Sequence, residues 1–288
     1  MQYTNKYNLP QPIVDLIVND DYSRGASDIS ITGLLSPPRQ TVLARQHAEE
    51  LTEDVSDCLY RLYGKLVHKM LEDADRTALT EERYFMPVEG LPGKTWTISG
   101  QVDRLLVKDK TLQDYKFVSC WKFKNGTPPA EYIAQVNMYL ELLRYNKIML
   151  DDAEIHAMFR DFSKLEALRN SDYPPIDYMI YPVEIWPREK VQEFIKERVI
   201  LHQQALEELP ECTLDERWAR ATRYAVMKQG RMRAVKLYET VEAAEIHASK
   251  SSAFYVEHRP GVQTRCENYC LVAFKCSQYQ NYLKNDKS

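Results

Sequence analysis

Asp103, Asp114 and Lys116 are the residues whose types and spacing most directly suggest chemistry. They fall in two strand-like runs, Ser99-Gly100-Gln101-Val102-Asp103 and Gln113-Asp114-Tyr115-Lys116, on either side of a polar break at Lys108-Asp109. A two- or four-residue turn centred on that break puts Asp103 across from Asp114, with Cβ atoms roughly 4.5–5.5 Å apart. Side chains alternate along a strand, so Lys116 shares the face of Asp114. Two facing carboxylates repel unless a cation lies between them. A hard ion such as Mg2+ relieves that repulsion and takes oxygen ligands from few protein groups. The lysine can then orient, or help deprotonate, a water acidified by the metal. This set suits phosphodiester hydrolysis, whereas a solvated strand pair with a cross-strand salt bridge would use the same residue types.

The surrounding pattern favours the chemical reading. His68 follows Gly64 by one helical turn, and the missing side chain opens space for an imidazole or a metal. Gln135 and Tyr139 form an i, i+4 pair on one helix face. Gln135 can orient a carboxylate or phosphate, and Tyr139 can stack a nucleobase. The elements that must position these groups can be read from periodicity. Residues 44–72 turn helical, with Leu59, Leu62, Tyr63, Leu66, Val67 and Met70 at threes and fours. Residues 83–88, 95–106 and 113–118 read as strands, with a turn at Gly90-Leu91-Pro92-Gly93. Helices are expected over 129–146 and 187–209, and a strand over 176–185. The order helix, strands, helix, strand indicates an α/β core.

Gly64-x-x-x-His68, Gly100-x-x-Asp103, Asp114-Tyr115-Lys116 and Gln135-x-x-x-Tyr139 occur in the order found in RecB-type nucleases. Over roughly residues 60–145 the chain resembles these members of the PD-(D/E)XK superfamily, with phage-type exonucleases the most similar. The resemblance implies a restriction-endonuclease-like core, a mixed central sheet flanked by helices. It implies that His68, Asp103, Asp114 and the Tyr115 backbone carbonyl bind Mg2+ or Mn2+. It assigns Lys116 to catalysis and Gln135 and Tyr139 to an extended active-site motif. The implied activity is DNA exonuclease action in recombination, repair or processing. A catalytically silent DNA- or protein-binding module on the same fold is the alternative.

Three organisational parts are expected: an N-terminal arm over 1–45 packed on the core, a nuclease core over 46–209, and a C-terminal segment over 210–288. That last segment holds Cys266, Cys270 and Cys276 in a C-x3-C-x5-C pattern. Three cysteines this close in a reducing compartment suggest a thiolate-bound metal. Cys212 is the first candidate for a fourth ligand and Cys58 the second, whereas Cys120 reads as a small buried residue. RecB-type relatives hold a 4Fe-4S cluster with a similar triplet that usually begins C-x2-C. The C-x3-C here leaves 4Fe-4S and Zn2+ both open.

The formal net charge of −4 argues mildly against a nucleic-acid partner, but charge is unevenly distributed. Arg217, Arg220, Arg223, Lys228, Arg231, Arg233 and Lys236 fall in one stretch with no acidic residue between the first and the last. With Trp218 and Tyr224 interleaved, it is a candidate surface for tracking phosphates and stacking bases. DNA is therefore the expected partner, with a recombination or single-strand-binding protein as a further candidate. No apolar run approaches a membrane span, so no membrane partner is expected. The first residues show no secretory pattern, which points to the cytoplasm, that of a bacterial host if the gene is phage-borne.

Overall fold

The apolar alternations flanking Lys108-Asp109 form strands in the computed structural model, which describes residues 1–19, 23–75, 78–123 and 126–285. In chain order the elements are β1 (Gln2–Thr4), α1 (Gln11–Val18), β2 (Ile29–Ser30), α2 (Ile31–Leu35), α3 (Pro38–Gln46), β3 (Thr52–Asp54) and α4 (Leu59–Ala74). There follow β4 (Leu79–Glu89), β5 (Thr95–Leu106), β6 (Thr111–Val118), α5 (Ala130–Tyr145), β7 (Asp152–Phe159), α6 (Lys164–Arg169), β8 (Tyr178–Pro182) and α7 (Arg188–Gln204). The remainder comprises β9 (Ala219–Arg220), β10 (Arg223–Lys228), β11 (Lys236–Tyr238), α8 (Val241–Ala248), β12 (Phe254–Arg259), β13 (Val262–Gln263), α9 (Thr264–Asn268) and α10 (Ser277–Asn285). The chain divides into two units, Met1–Thr41 with Ala48–Leu209, and Val42–His47 with Pro210–Ser288. Among the described residues, no helix is long and apolar enough to cross a membrane.

The first unit is mixed α/β, with a central mixed sheet flanked by helices. Its strands run β2-β5-β6-β7-β8, and β4 pairs along β5. The β6–β7 and β2–β5 pairs are parallel; β4–β5, β5–β6 and β7–β8 are antiparallel. Strand β7 was not anticipated, although Ala153, Ile155, Ala157 and Phe159 alternate into the core. The N-terminal residues are no mere covering arm, because β2 joins the sheet and Ile31 and Leu34 of α2 are fully buried. The helix expected over 44–72 is also divided. Helix α3 ends at Gln46, and β3 and a 3-10 turn at Val55–Cys58 precede α4. Of the expected α4 stripe only Leu62 is buried, and Met70 is 71% exposed, because the helix rests on the unit along a narrow seam.

The sheet forks at β5. Its Arg104–Leu106 end pairs with β6, whereas Ile98–Ser99 pair with β2. Between them, residues 100–103 face the gap left as β6 continues alongside β7. Arg104 braces the fork by donating to Gln113 Oε1 and to Asp75, the residue that caps the C-terminus of α4.

The second unit contains the antiparallel sheet β11-β10-β12 and the two-stranded pair β9–β13. Ala225, Val226 and Met227 of β10 are buried, as is Ala244 of α8. The basic stretch thus contains a core strand.

Asp54 fixes the entry into α4. Its carboxylate accepts from Thr4 Oγ1, the Lys6 amide, and both the amide and hydroxyl of Ser56. The Thr4 bond, followed by those of Ser56 and Lys6, holds its pKa well below the usual carboxylate range. A depressed folded-state pKa gives stability that is present above the unfolded value of about 3.9 and lost as pH falls through the folded value. Asp54→Ala is therefore expected to lower the melting temperature at pH 7 and to flatten the acid limb below about pH 4. Thermal melts from pH 7 to pH 2 that superimpose for the two proteins would contradict this.

Candidate active site

Residues 107–110 form the turn between β5 and β6, with Lys110 left-handed at φ 52°. The resulting register pairs Arg104 with Gln113, and one further step sets Asp103 level with Asp114. There the fork opens, and the Asp103 carboxylate enters it. Oδ2 accepts the Tyr115 amide at 2.6 Å, while Oδ1 lies 3.4 Å from His68 Nδ1 on α4. For Tyr115, the contact in the structure is made by this amide.

Asp114 is 1% exposed, and Lys116 Nζ lies 2.6 Å from its Oδ2. The two form a buried ion pair. Burial raises the Asp114 pKa; Lys116 opposes the rise and Asp103 adds to it. Burial works against the Lys116 ammonium, but Asp114 and Asp103 outweigh it and the pKa rises. The two carboxylates thus favour the Lys116 cation, which suits orienting water or neutralising charge.

Glu81, absent from the sequence motifs, completes the acidic group. It stands opposite Asp103 between the pairs Thr80–Arg104 and Glu82–Val102, with φ 53°. Its Oε1 lies 3.2 Å from His68 Nδ1, and its Oε2 accepts from Gln101 Nε2 at 2.7 Å. Donor atoms of His68, Glu81 and Asp103 all lie within 4.8 Å of one another, a set that does not include Asp114. Burial disfavours the imidazolium, yet Asp103 and Glu81 raise the His68 pKa to about 10. Counting eleven residues each way from Pro92, at the centre of the recognised turn, reaches Glu81 and Asp103, so the sequence did contain the signal.

The group opens on a cavity of about 870 Å3 also lined by Gln135 and Tyr139. Gln135 Nε2 donates to the Tyr139 hydroxyl at 2.9 Å. Tyr139 is 5% exposed and packs on Gly100, so its ring cannot stack a base as the sequence suggested. A Cβ at Gly64 would meet nothing within 4 Å; this glycine widens the cleft and is not needed to seat His68.

The cysteines separate. Cys58 is buried beside Val55 and Leu62, and burial, then Glu53, raise its thiol to about 11. Cys120 is a core residue. Cys212 is clamped by Gln278, which exchanges two hydrogen bonds with its backbone only two residues beyond Cys276. The thiol pKa values of Cys266 and Cys270 are raised by burial, and Cys266 also feels Cys270 and Cys276.

The basic residues differ in exposure and partners. Arg217 bonds the Thr213 carbonyl, and Arg223 pairs with Glu239. Lys228 is half-buried, whereas Arg220, Arg231 and Arg233 are exposed. Trp218 is exposed, with the Arg265 guanidinium 4.2 Å from its ring centre, and the half-buried Tyr224 packs against His258.

No protein-family model and no curated protein matches the chain. Among solved structures, it is similar to SSO0001, with TM-score 0.47 and 17% identity over 66% of this chain and 83% of that one. It is also similar to a phage-related exonuclease from Haemophilus somnus 129PT, with TM-score 0.28 and 15% identity over 59% of this chain and 72% of that one. Likenesses this slight leave function to the chain's own residues.

The two glycines predict opposite outcomes. At Gly100 a Cβ would meet Tyr139 Cε1 at 2.6 Å and Leu142 Cδ2 at 2.8 Å. Gly100→Ala should therefore destabilise by about 1–3 kcal/mol. Gly64→Ala, on an open helix face, should stabilise by up to about 1 kcal/mol. Denaturant melts showing no difference between the two variants would contradict this packing.

Proposed function

We propose that the chain is a Mg2+- or Mn2+-dependent deoxyribonuclease of the PD-(D/E)XK, RecB-like type. The proposed role is exonuclease action during recombination, repair or DNA processing. One observation carries the reading: His68, Asp103 and Lys116 line one cleft, with the buried Asp114 paired to Lys116 behind it. The compact His68–Glu81–Asp103 donor set, one imidazole nitrogen and two carboxylates, fits a hard divalent ion.

His68, Asp103, Asp114 and the Tyr115 carbonyl would hold the ion. When bound, it would supply Lewis acidity and an acidified water. The chain's own groups do the positioning. The Tyr115 amide fixes Asp103, and Glu81 and Asp103 orient the His68 ring. Lys116 supplies positive charge for a non-bridging phosphate oxygen and a donor for the attacking water. The Gln135–Tyr139 pair forms a preorganised polar wall. Arg220, Arg231 and Arg233 are the exposed candidates for phosphate contacts outside the cleft.

For the tail, we propose a 4Fe-4S cluster on Cys212, Cys266, Cys270 and Cys276. Cys212 is favoured over Cys58 by its Gln278 clamp.

Labelled single- and double-stranded DNA should be cut with Mg2+ or Mn2+ and left intact with chelator. Lys116→Ala and Asp114→Asn should each slow cleavage by about 10²–10³-fold; unchanged rates in both variants would refute the assignment. Anaerobically purified protein should be brown with broad visible absorption. A colourless, zinc-containing protein would overturn the cluster.

A further inference from the structure

We propose that Glu81 is a direct ligand of the divalent ion. The inference rests on the metal-centre reading above and adds a carboxylate from β4, outside the motifs that suggested it. His68 Nδ1, Glu81 Oε1 and Asp103 Oδ1 form one compact donor group, with Nδ1 at 3.2 Å from the first oxygen and 3.4 Å from the second. An octahedral centre with bonds of about 2.1 Å sets neighbouring donors about 3 Å apart, so small inward shifts suffice.

Two features separate Glu81 from a bystander. It adopts φ 53° inside β4, a conformation unfavourable for a residue with a side chain, where strain often marks a functional position. Its Oε2 is held by Gln101 Nε2, which is itself ordered by its Oε1 accepting from Arg83. That leaves Oε1 directed at His68. His68, Glu81 and Asp103 all line the same cavity, so the donor group faces open space large enough for a solvated ion. Three donors from β4, β5 and α4 would hold the ion on one side and leave positions for water and phosphate oxygens.

The test is calorimetric titration of the full chain with Mn2+ alone, without DNA. Glu81→Gln should weaken Mn2+ binding at least about 10-fold, and Asp103→Asn at least as much. Glu82→Gln, on the adjacent exposed position, should bind as the parent does. Glu81→Gly relieves the left-handed strain, so it should melt no lower than the parent while losing the same affinity. Parent-like Mn2+ binding by a folded Glu81→Gln or Glu81→Gly, with loss in Asp103→Asn, overturns the role of Glu81 and leaves the nuclease reading standing. Parent-like binding in Asp103→Asn as well removes the metal centre itself.

Discussion

The fork in β5 is the constraint on which the rest of the site depends. A strand paired along both edges has no backbone donor to spare for a carboxylate. Here β5 changes partner, from β6 at Arg104–Leu106 to β2 at Ile98–Ser99. The gap lets the Asp103 side chain, and not its backbone, engage β6 through the Tyr115 amide. A one-residue slip in this hairpin would turn Asp103 away from Asp114. The turn at 107–110 and the Arg104 brace to Asp75 and Gln113 hold the register.

Charge explains why the neighbours are what they are. Glu81, Asp103 and Asp114 bring three carboxyl groups together where burial makes repulsion expensive. Two cations answer them, the His68 imidazolium between Glu81 and Asp103 and the Lys116 ammonium on Asp114. Of these contacts the Lys116 Nζ–Asp114 Oδ2 pair is the shortest, at 2.6 Å. Taking these charges out of water is costly, and their mutual attraction repays that cost only through close contacts.

The sequence revealed the site better than the fold around it. Asp103, Asp114 and Lys116 were legible because a polar break at Lys108-Asp109 fixes a hairpin register, and local spacing then fixes the side-chain faces. Gln135 and Tyr139 were legible as helical neighbours, but their hydrogen bond and the burial of the Tyr139 ring depend on Gly100, thirty-nine residues earlier. Strand β7 escaped notice because two of its four inward residues are alanines, which give a weak alternation. Glu81 escaped because its importance lies in a long hairpin pairing and an unusual φ. Charge counting likewise does not show that Arg223 pairs with Glu239 or that Arg265 lies against Trp218.

The most direct test is the anomalous difference density of crystals grown with Mn2+, recorded at the manganese edge. A single strong peak within bonding distance of His68 Nδ1 and Asp103, inside the fork, is the result expected. Clear density for both side chains with no peak between them, at a Mn2+ concentration that supports DNA cleavage, would contradict the account.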